Sequence, residues 1–352
     1  MTHNLNSENN FETKSGSLDC TYLLTIRRTR FDSAEAEDFR QYFELLAAAG
    51  CEVLVVDGSP AEIFAAYSET WRGVCRHETV DPQYKFLNGK VNGIHTGVLI
   101  AAYDRIILAD DDIRYTPEDA KRMSFLLADY EMVRPQNYFS PLPFWARMEA
   151  ARMLINRAWI REGDYSGTLG VTRTAMQRVG HYDGDVLFDN EEIVRHFRLK
   201  NAKIKYARDF FLLKRPATFR KWIEQRPRQA YEDFIMRAKT AFFLLLPIDF
   251  VLFWFFGGWR FALGFVLIVA LGAMLTAAYG LGDGAIRFFP RSTILYAPLW
   301  FVERSFSTYW AFYWRFTRGG YPFGDKLLSK GTGDAWTAAG RAQDATVGDD
   351  II

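Results

Sequence analysis

The sequence predicts an α/β fold built on a mostly parallel sheet, followed by a separate set of apolar C-terminal helices. Three observations carry this. Up to about residue 240, short apolar runs alternate with amphipathic stretches, as strands and helices do when they wind in turn. Beyond it the apolar runs lengthen: "FALGFVLIVALGAMLTAAYGLG", 261–282, carries no charge across 22 residues, enough for a bilayer span. The 352 residues are 49% hydrophobic and 16% aromatic, more than one soluble core consumes.

Residues 1–17 are polar, contain no signal-peptide core and are read as a tail without order. "TYLLTIRR", 21–28, predicts the first strand, and 34–50 a helix ending at Gly50. "CEVLVVDGS" is a buried strand of β-branched residues that ends on Asp57, with Gly58 and Ser59 turning the chain. An acid there sits at the strand edge where open α/β sheets bind ligands, although helix caps use the same residue types. Residues 88–112 supply a glycine-punctuated loop, an amphipathic helix and a strand that delivers Asp110, Asp111 and Asp112 to the same edge. Thr116 and Pro117 start the next helix.

The apolar part begins with "TAFFLLLPIDFVLFWFF", 240–256, whose one charge is Asp249. The linker "GGWR" joins it to 261–282, predicting a hairpin. Residues 293–316 are aromatic but carry Glu303 and Arg304 centrally, so they span with that pair against protein or lie in the interface plane, the reading preferred here. The expected division is a tail at 1–17, an α/β domain at 18–235, membrane and interfacial helices at 236–330 and a second tail at 331–352.

Lysine and arginine number 43 against 42 acids, and a formal charge of +1 gives no general attraction to nucleic acid. Cys20, Cys51 and Cys75 lack metal-ligand spacing and read as reduced thiols. Five scattered histidines suggest no covalent nucleophile system.

Crowding three aspartates after a buried strand requires compensation. On an extended segment Asp110 and Asp112 point one way and Asp111 the other, so the pair can face one hard cation, magnesium or manganese, bridged to a phosphorylated ligand. A solvated acidic turn capping the next helix is the alternative.

From these residues onward, about 20–230 resembles the family-2 glycosyltransferases, inverting enzymes of the Rossmann-like GT-A fold that use nucleotide-sugar donors. "VVDGS" resembles the nucleotide-recognition loop, which implies that Asp57 contacts the base. "LNGKVNGIHTG" resembles the segment before the metal motif, placing Lys90 near the donor diphosphate. "LADDDIRYTP" resembles the DxD motif, with Asp110 toward the sugar and ribose and Asp112 on the metal. "GTLGVTRTAMQRVGHYD" resembles the acceptor-side segment, and "DNEEIVRHFRL" the acidic pair followed by an arginine, here Arg198. The resemblance makes Glu192 the first choice of general base and leaves Glu191 and Asp189 open. "QRPRQ" resembles the QxxRW motif of membrane-linked members with Gln229 in the last position, and implies donor contacts from Gln225, Arg226 and Arg228.

The expected activity is a metal-dependent hexosyl transfer from a nucleoside-diphosphate sugar, UDP-linked, to a lipid or lipid-linked acceptor. The expected location is the inner or plasma membrane with the catalytic domain cytoplasmic, because Arg226, Arg228, Arg237 and Lys239 precede the first apolar run. A processive polysaccharide synthase is the enzymatic alternative, and an inactive nucleotide-sugar-binding protein the non-enzymatic one.

Overall fold

The computed structural model describes residues 18–323 and 326–333. The tail expected at 1–17 lies outside the described residues, as does nearly all of that expected at 331–352.

The first elements are β1 (Cys20–Ile26), α1 (Ser33–Ala48), β2 (Glu52–Asp57), α2 (Ala61–Thr70), β3 (Arg76–Thr79), α3 (Gly89–Ile100) and β4 (Arg105–Ala109). They continue with β5 (Ile113–Arg114), α4 (Pro117–Leu126), β6 (Met132–Phe139), α5 (Phe144–Trp159), β7 (Thr168–Thr172), α6 (Arg173–Val179), α7 (Asp189–Leu199) and β8 (Ile204–Lys214). The eight strands form one sheet in the order β3-β2-β1-β4-β7-β6-β8-β5. The β3-β2-β1-β4 block and the β6-β8 pair are parallel, while β7 runs antiparallel between β4 and β6, and β5 antiparallel to β8. The α/β class and mostly parallel sheet expected from the sequence are therefore present.

Helices cover both faces, which is why the central strands are apolar without alternation. One face packs Phe39 and Phe43 of α1 and Met123 of α4; the other packs Val91 and Ile94 of α3 with Ile193 and Phe197 of α7. Helix α3 lies close because Gly97 has no side chain: a Cβ there would come 2.3 Å from Leu23. Thr116 and Asp119 form a capping box that starts α4, with Pro117 in its first turn. These contacts bring the carboxyl ends of β1, β2 and β4 to one sheet edge, with Ile26 in register with Asp57.

The chain then forms α8 (Phe219–Glu232), α9 (Arg237–Tyr279) and α10 (Ala297–Thr317). Helix α9 is long and apolar enough to cross a membrane by length and composition, the single such helix among the described residues. It is two arms rather than one rod. Gly258 has φ 73°, open to glycine at low cost, and the rings of Phe253 and Phe265 stack with centroids 5.0 Å apart. Twelve residues along a straight helix would separate them by about 18 Å. The chain therefore doubles back, as the "GGWR" linker predicts. The base of the hairpin, with Phe243, Ala273 and Ala277, packs on Ala150 and Leu154 of α5 and on Trp300 of α10. The tip projects freely, with Phe255 79% and Phe256 80% exposed.

Helix α10 turns its charges inward. Arg304 is buried with Nη1 3.5 Å from Asp233 Oδ2, and Glu303 Oε2 lies 3.8 Å from Arg226 Nη1. Its outer face exposes Val302, Phe306, Tyr309, Trp310, Tyr313 and Phe316. The stretch after it returns to the sheet domain. A small hairpin, β9 (Tyr321–Phe323) and β10 (Lys326–Leu328), leads into a strap in which Leu187 N donates to Lys330 O at 3.1 Å and Phe188 N to Gly331 O at 3.0 Å. Sequence alone grouped 321–330 with the apolar helices; its backbone instead completes hydrogen bonds left open by the segment preceding α7.

Candidate active site

A cavity of about 740 Å³ opens at the carboxyl edge of the sheet. Residues 110–112 lie on its wall in a tight turn closed by Ile113 N donating to Asp110 O at 3.1 Å. This corrects the extended geometry expected from the sequence: the chain must turn at once into β5, so all three aspartates line the cavity. Each meets its own cation. Lys90 Nζ lies 2.5 Å from Asp110 Oδ1, Arg28 Nη2 2.7 Å from Asp111 Oδ2 and Lys214 Nζ 3.1 Å from Asp112 Oδ1. Burial opposes the charge on Asp111, but Arg28 outweighs it and holds the pKa below the ordinary value. Asp112 goes the other way, because burial and the charges of Asp110 and Asp111 exceed the relief from Lys214.

The opposite wall is the start of α7. Lys90 connects the two, since its Nζ also lies 2.6 Å from Asp189 Oδ2. Burial pulls the Lys90 pKa down, yet Asp110 and Asp189 together drive it above its usual value, so it stays charged. Glu191 lines the same cavity with Arg134 Nη2 3.1 Å from Oε1. Its pKa rises to about 6, chiefly through burial, with Asp164 and Asp189 adding to the rise and Arg134 opposing it.

Several residues expected at the site stand elsewhere. Glu192, the first choice of base, is fully buried and absent from the cavity wall. Its carboxylate takes Arg195 Nε at 2.8 Å, Arg195 Nη2 at 2.6 Å and Gly333 N at 2.7 Å. Asp57 is also buried and off the wall, accepting from Ser59 N at 2.7 Å and lying 3.3 Å from His77 Nε2. Where the resemblance implies a base contact, its carboxylate faces the β3 histidine. Arg226 is buried behind the cavity wall, paired with Glu149, which lines the cavity, and lying across the Trp222 ring. Gln225 and Arg228 do line the cavity, and Arg228 Nη2 donates to Leu187 O at 2.9 Å. Arg198 is at the surface on Glu162. The cysteines are free thiols, as expected.

No protein-family model and no curated protein matches the chain. Among solved structures it is similar to a mannosyltransferase from Pyrobaculum calidifontis in complex with GDP-Man and Mn2+, at 16% identity and a TM-score of 0.48, over 83% of this chain and 87% of that one. It is also similar to glucosyl-3-phosphoglycerate synthase from Mycobacterium tuberculosis in complex with Mn2+, UDP and glucosyl-3-phosphoglycerate, at 12% identity and a TM-score of 0.37, over 57% and 74% of the two chains. Likeness this low assigns no role to any residue here, and the site must be read from its own chemistry.

That chemistry fits a hard divalent cation. Asp110 and Asp112 present carboxylate oxygens to one cavity, and Gly167 leaves the space beside Asp110 open: a Cβ there would sit 3.0 Å from Asp110 Oδ2 and 2.9 Å from Lys214 Nζ. Among the described residues no set of three or more acid, histidine or cysteine side chains encloses a metal, so a cation on this pair would complete its shell with ligand oxygens and water.

Sequence reading missed the support behind Glu191. Arg152 Nη1 is 3.0 Å from Asp164 Oδ1 and its Nε 3.0 Å from Glu149 Oε2, while Arg134 Nη2 donates to Asp164 O at 3.0 Å. Burial would raise the Glu149 pKa, but Arg226 and Arg152 hold it down at about 2. The available signal was the polar series Glu149, Arg152 and Asn156 at i, i+3 and i+7 along one side of α5.

Proposed function

We propose that the chain is a membrane-associated, inverting glycosyltransferase of the family-2, GT-A type that moves a sugar from a nucleoside-diphosphate donor, UDP-linked, to a lipid or lipid-linked acceptor. One observation supports this above the rest: the aspartate turn and the α7 carboxylates face each other across one cavity, with Lys90 touching both Asp110 and Asp189.

The acceptor oxygen attacks the anomeric carbon, the bond from that carbon to the diphosphate oxygen breaks, and the leaving diphosphate keeps the electron pair. The acceptor proton passes to a carboxylate, and Glu191 is the group whose position and raised pKa suit a base near neutrality. Asp189 is held in an ion pair by Lys90, which orients it. A divalent ion on Asp110 and Asp112 would stabilise the negative charge on the departing diphosphate. Lys90 and Lys214 add positive charge beside the aspartate turn. A single displacement inverts the anomeric centre.

Membrane association rests on the exposed apolar tip of α9 and the aromatic outer face of α10. The basic residues before α9 favour a cytoplasmic catalytic domain. The test is transfer of labelled sugar from a panel of nucleotide sugars to a lipid extract by the detergent-solubilised protein. Asp112→Asn should abolish transfer and metal-dependent donor binding while the circular dichroism spectrum is kept. Undiminished turnover by that variant, or in excess chelator, would remove the metal from the mechanism.

A further inference from the structure

Cations on the two sides of the cavity are used differently. Those facing the aspartate turn are all engaged with carboxylates. Those on the first turns of α8 are not: among the described residues neither Arg220 nor Lys221 has an ion-pair partner, and Arg228 has none either. Arg228 is further confined, with its guanidinium 5.5 Å from the Phe188 ring and 5.2 Å from the Phe323 ring, and its Nε buried without a hydrogen-bond partner. These three cations line a second groove of about 350 Å³ between α8 and β9, in which Glu224 is the one carboxylate. The groove is continuous with the main cavity, because Lys221, Gln225, Arg228 and Phe323 line both.

Three cations against one groove carboxylate, with Lys221 also drawn toward Asp111, leave an excess of positive charge that expects an anion, and the two guanidinium forks suit the several oxygens of a phosphate. The outer side is apolar. Phe219 and Ile223 on α8 are 49% and 40% exposed, and α8 packs on α10, whose outer face is aromatic. A ligand matching both has a phosphate head and a hydrocarbon chain.

We propose that the groove seats the phosphate of a phosphate-bearing lipid acceptor, with the chain leaving across α8 and α10 and the reacting oxygen directed into the main cavity. This deepens the functional reading above by naming the acceptor class, and it rests on that reading for the acceptor role. The phosphate site itself is testable alone.

Full-length protein in micelles is titrated with dodecyl phosphate, dodecanol and inorganic phosphate, and separately with UDP plus Mn2+. Dodecyl phosphate should bind at least about tenfold more tightly than either fragment, and Arg220→Ala should weaken it about tenfold or more while UDP binding is unchanged, since Arg220 lines the groove and not the main cavity. The side chain is exposed, so the variant keeps the fold. Equal binding of dodecanol, equal binding of inorganic phosphate, or an unaffected variant overturns the proposal. So does displacement of dodecyl phosphate by UDP, which would assign these cations to the donor. Loss of UDP binding alone in the unsubstituted protein sinks the donor reading and leaves the groove standing.

Discussion

Glu191 and Glu192 are neighbours on the first turn of α7 and meet opposite surroundings, the one at the cavity and the other clamped by Arg195 and the strap. Two different losses follow. Glu191→Gln should lower transfer by a factor on the order of a hundred to ten thousand with donor affinity little changed. In the unsubstituted enzyme activity should rise with pH through about 6, because the base works only when deprotonated, and the variant's profile should lose that limb. Glu192→Gln should instead lower the melting temperature and loosen the strap, read as faster amide exchange at Gly333. If Glu192→Gln is inactive with native stability, the roles are reversed. The distinction was partly legible: Asp189, Glu192, Ile193, His196 and Phe197 are buried at helical spacing, which puts 192 on the inward stripe. What clamps it was not legible, since Gly333 is distant in sequence.

At the scale of elements, α5 carries the charges that tie the sheet domain to the apolar helices. Glu149 holds Arg152 on one side and Arg226 of α8 on the other. Removing it takes the shared carboxylate from two buried cations, leaving Arg152 with Asp164 and Arg226 with the more distant Glu303, and Glu149→Ala should cost about 3 kcal/mol, measured by denaturant unfolding. The pKa shift gives the sign in acid: a carboxylate held at about 2 against an ordinary 4.5 contributes stability above the higher value, and loses it as pH falls through the lower. The strands and most helices were legible because each carries its own period and punctuation, as at Asp57, Thr116 and Pro117. The burial of Asp57 was not, because it depends on His77 from a strand of only four residues, whose ring stacks on Phe64 at 4.2 Å.

For the whole molecule, the geometry of the apolar helices limits how deep they reach. The arms of α9 are packed against protein as far as Leu246 and Val269, so about 11 residues of each project, or roughly 17 Å against a hydrocarbon core of about 30 Å. The hairpin should therefore enter one leaflet without crossing. A single cysteine at position 258 in a cysteine-free background should stay unlabelled by an impermeant reagent outside sealed cells, and labelling there would show that the tip emerges. Phe255→Ser with Phe256→Ser should shift the protein from the membrane pellet toward the soluble fraction. The strap adds a constraint in time. The sheet domain leaves the ribosome first, yet the wall beside Glu192 is finished by residues 330–333, roughly a hundred residues later, which at ordinary synthesis rates is about 5 to 20 seconds. Through that interval Leu187 and Phe188 lack their backbone partners while the hairpin and α10 are already emerging. The cavity of each new molecule is thus closed only after its apolar helices have been made, so that the surroundings of the α7 carboxylates are the last part of the fold to mature.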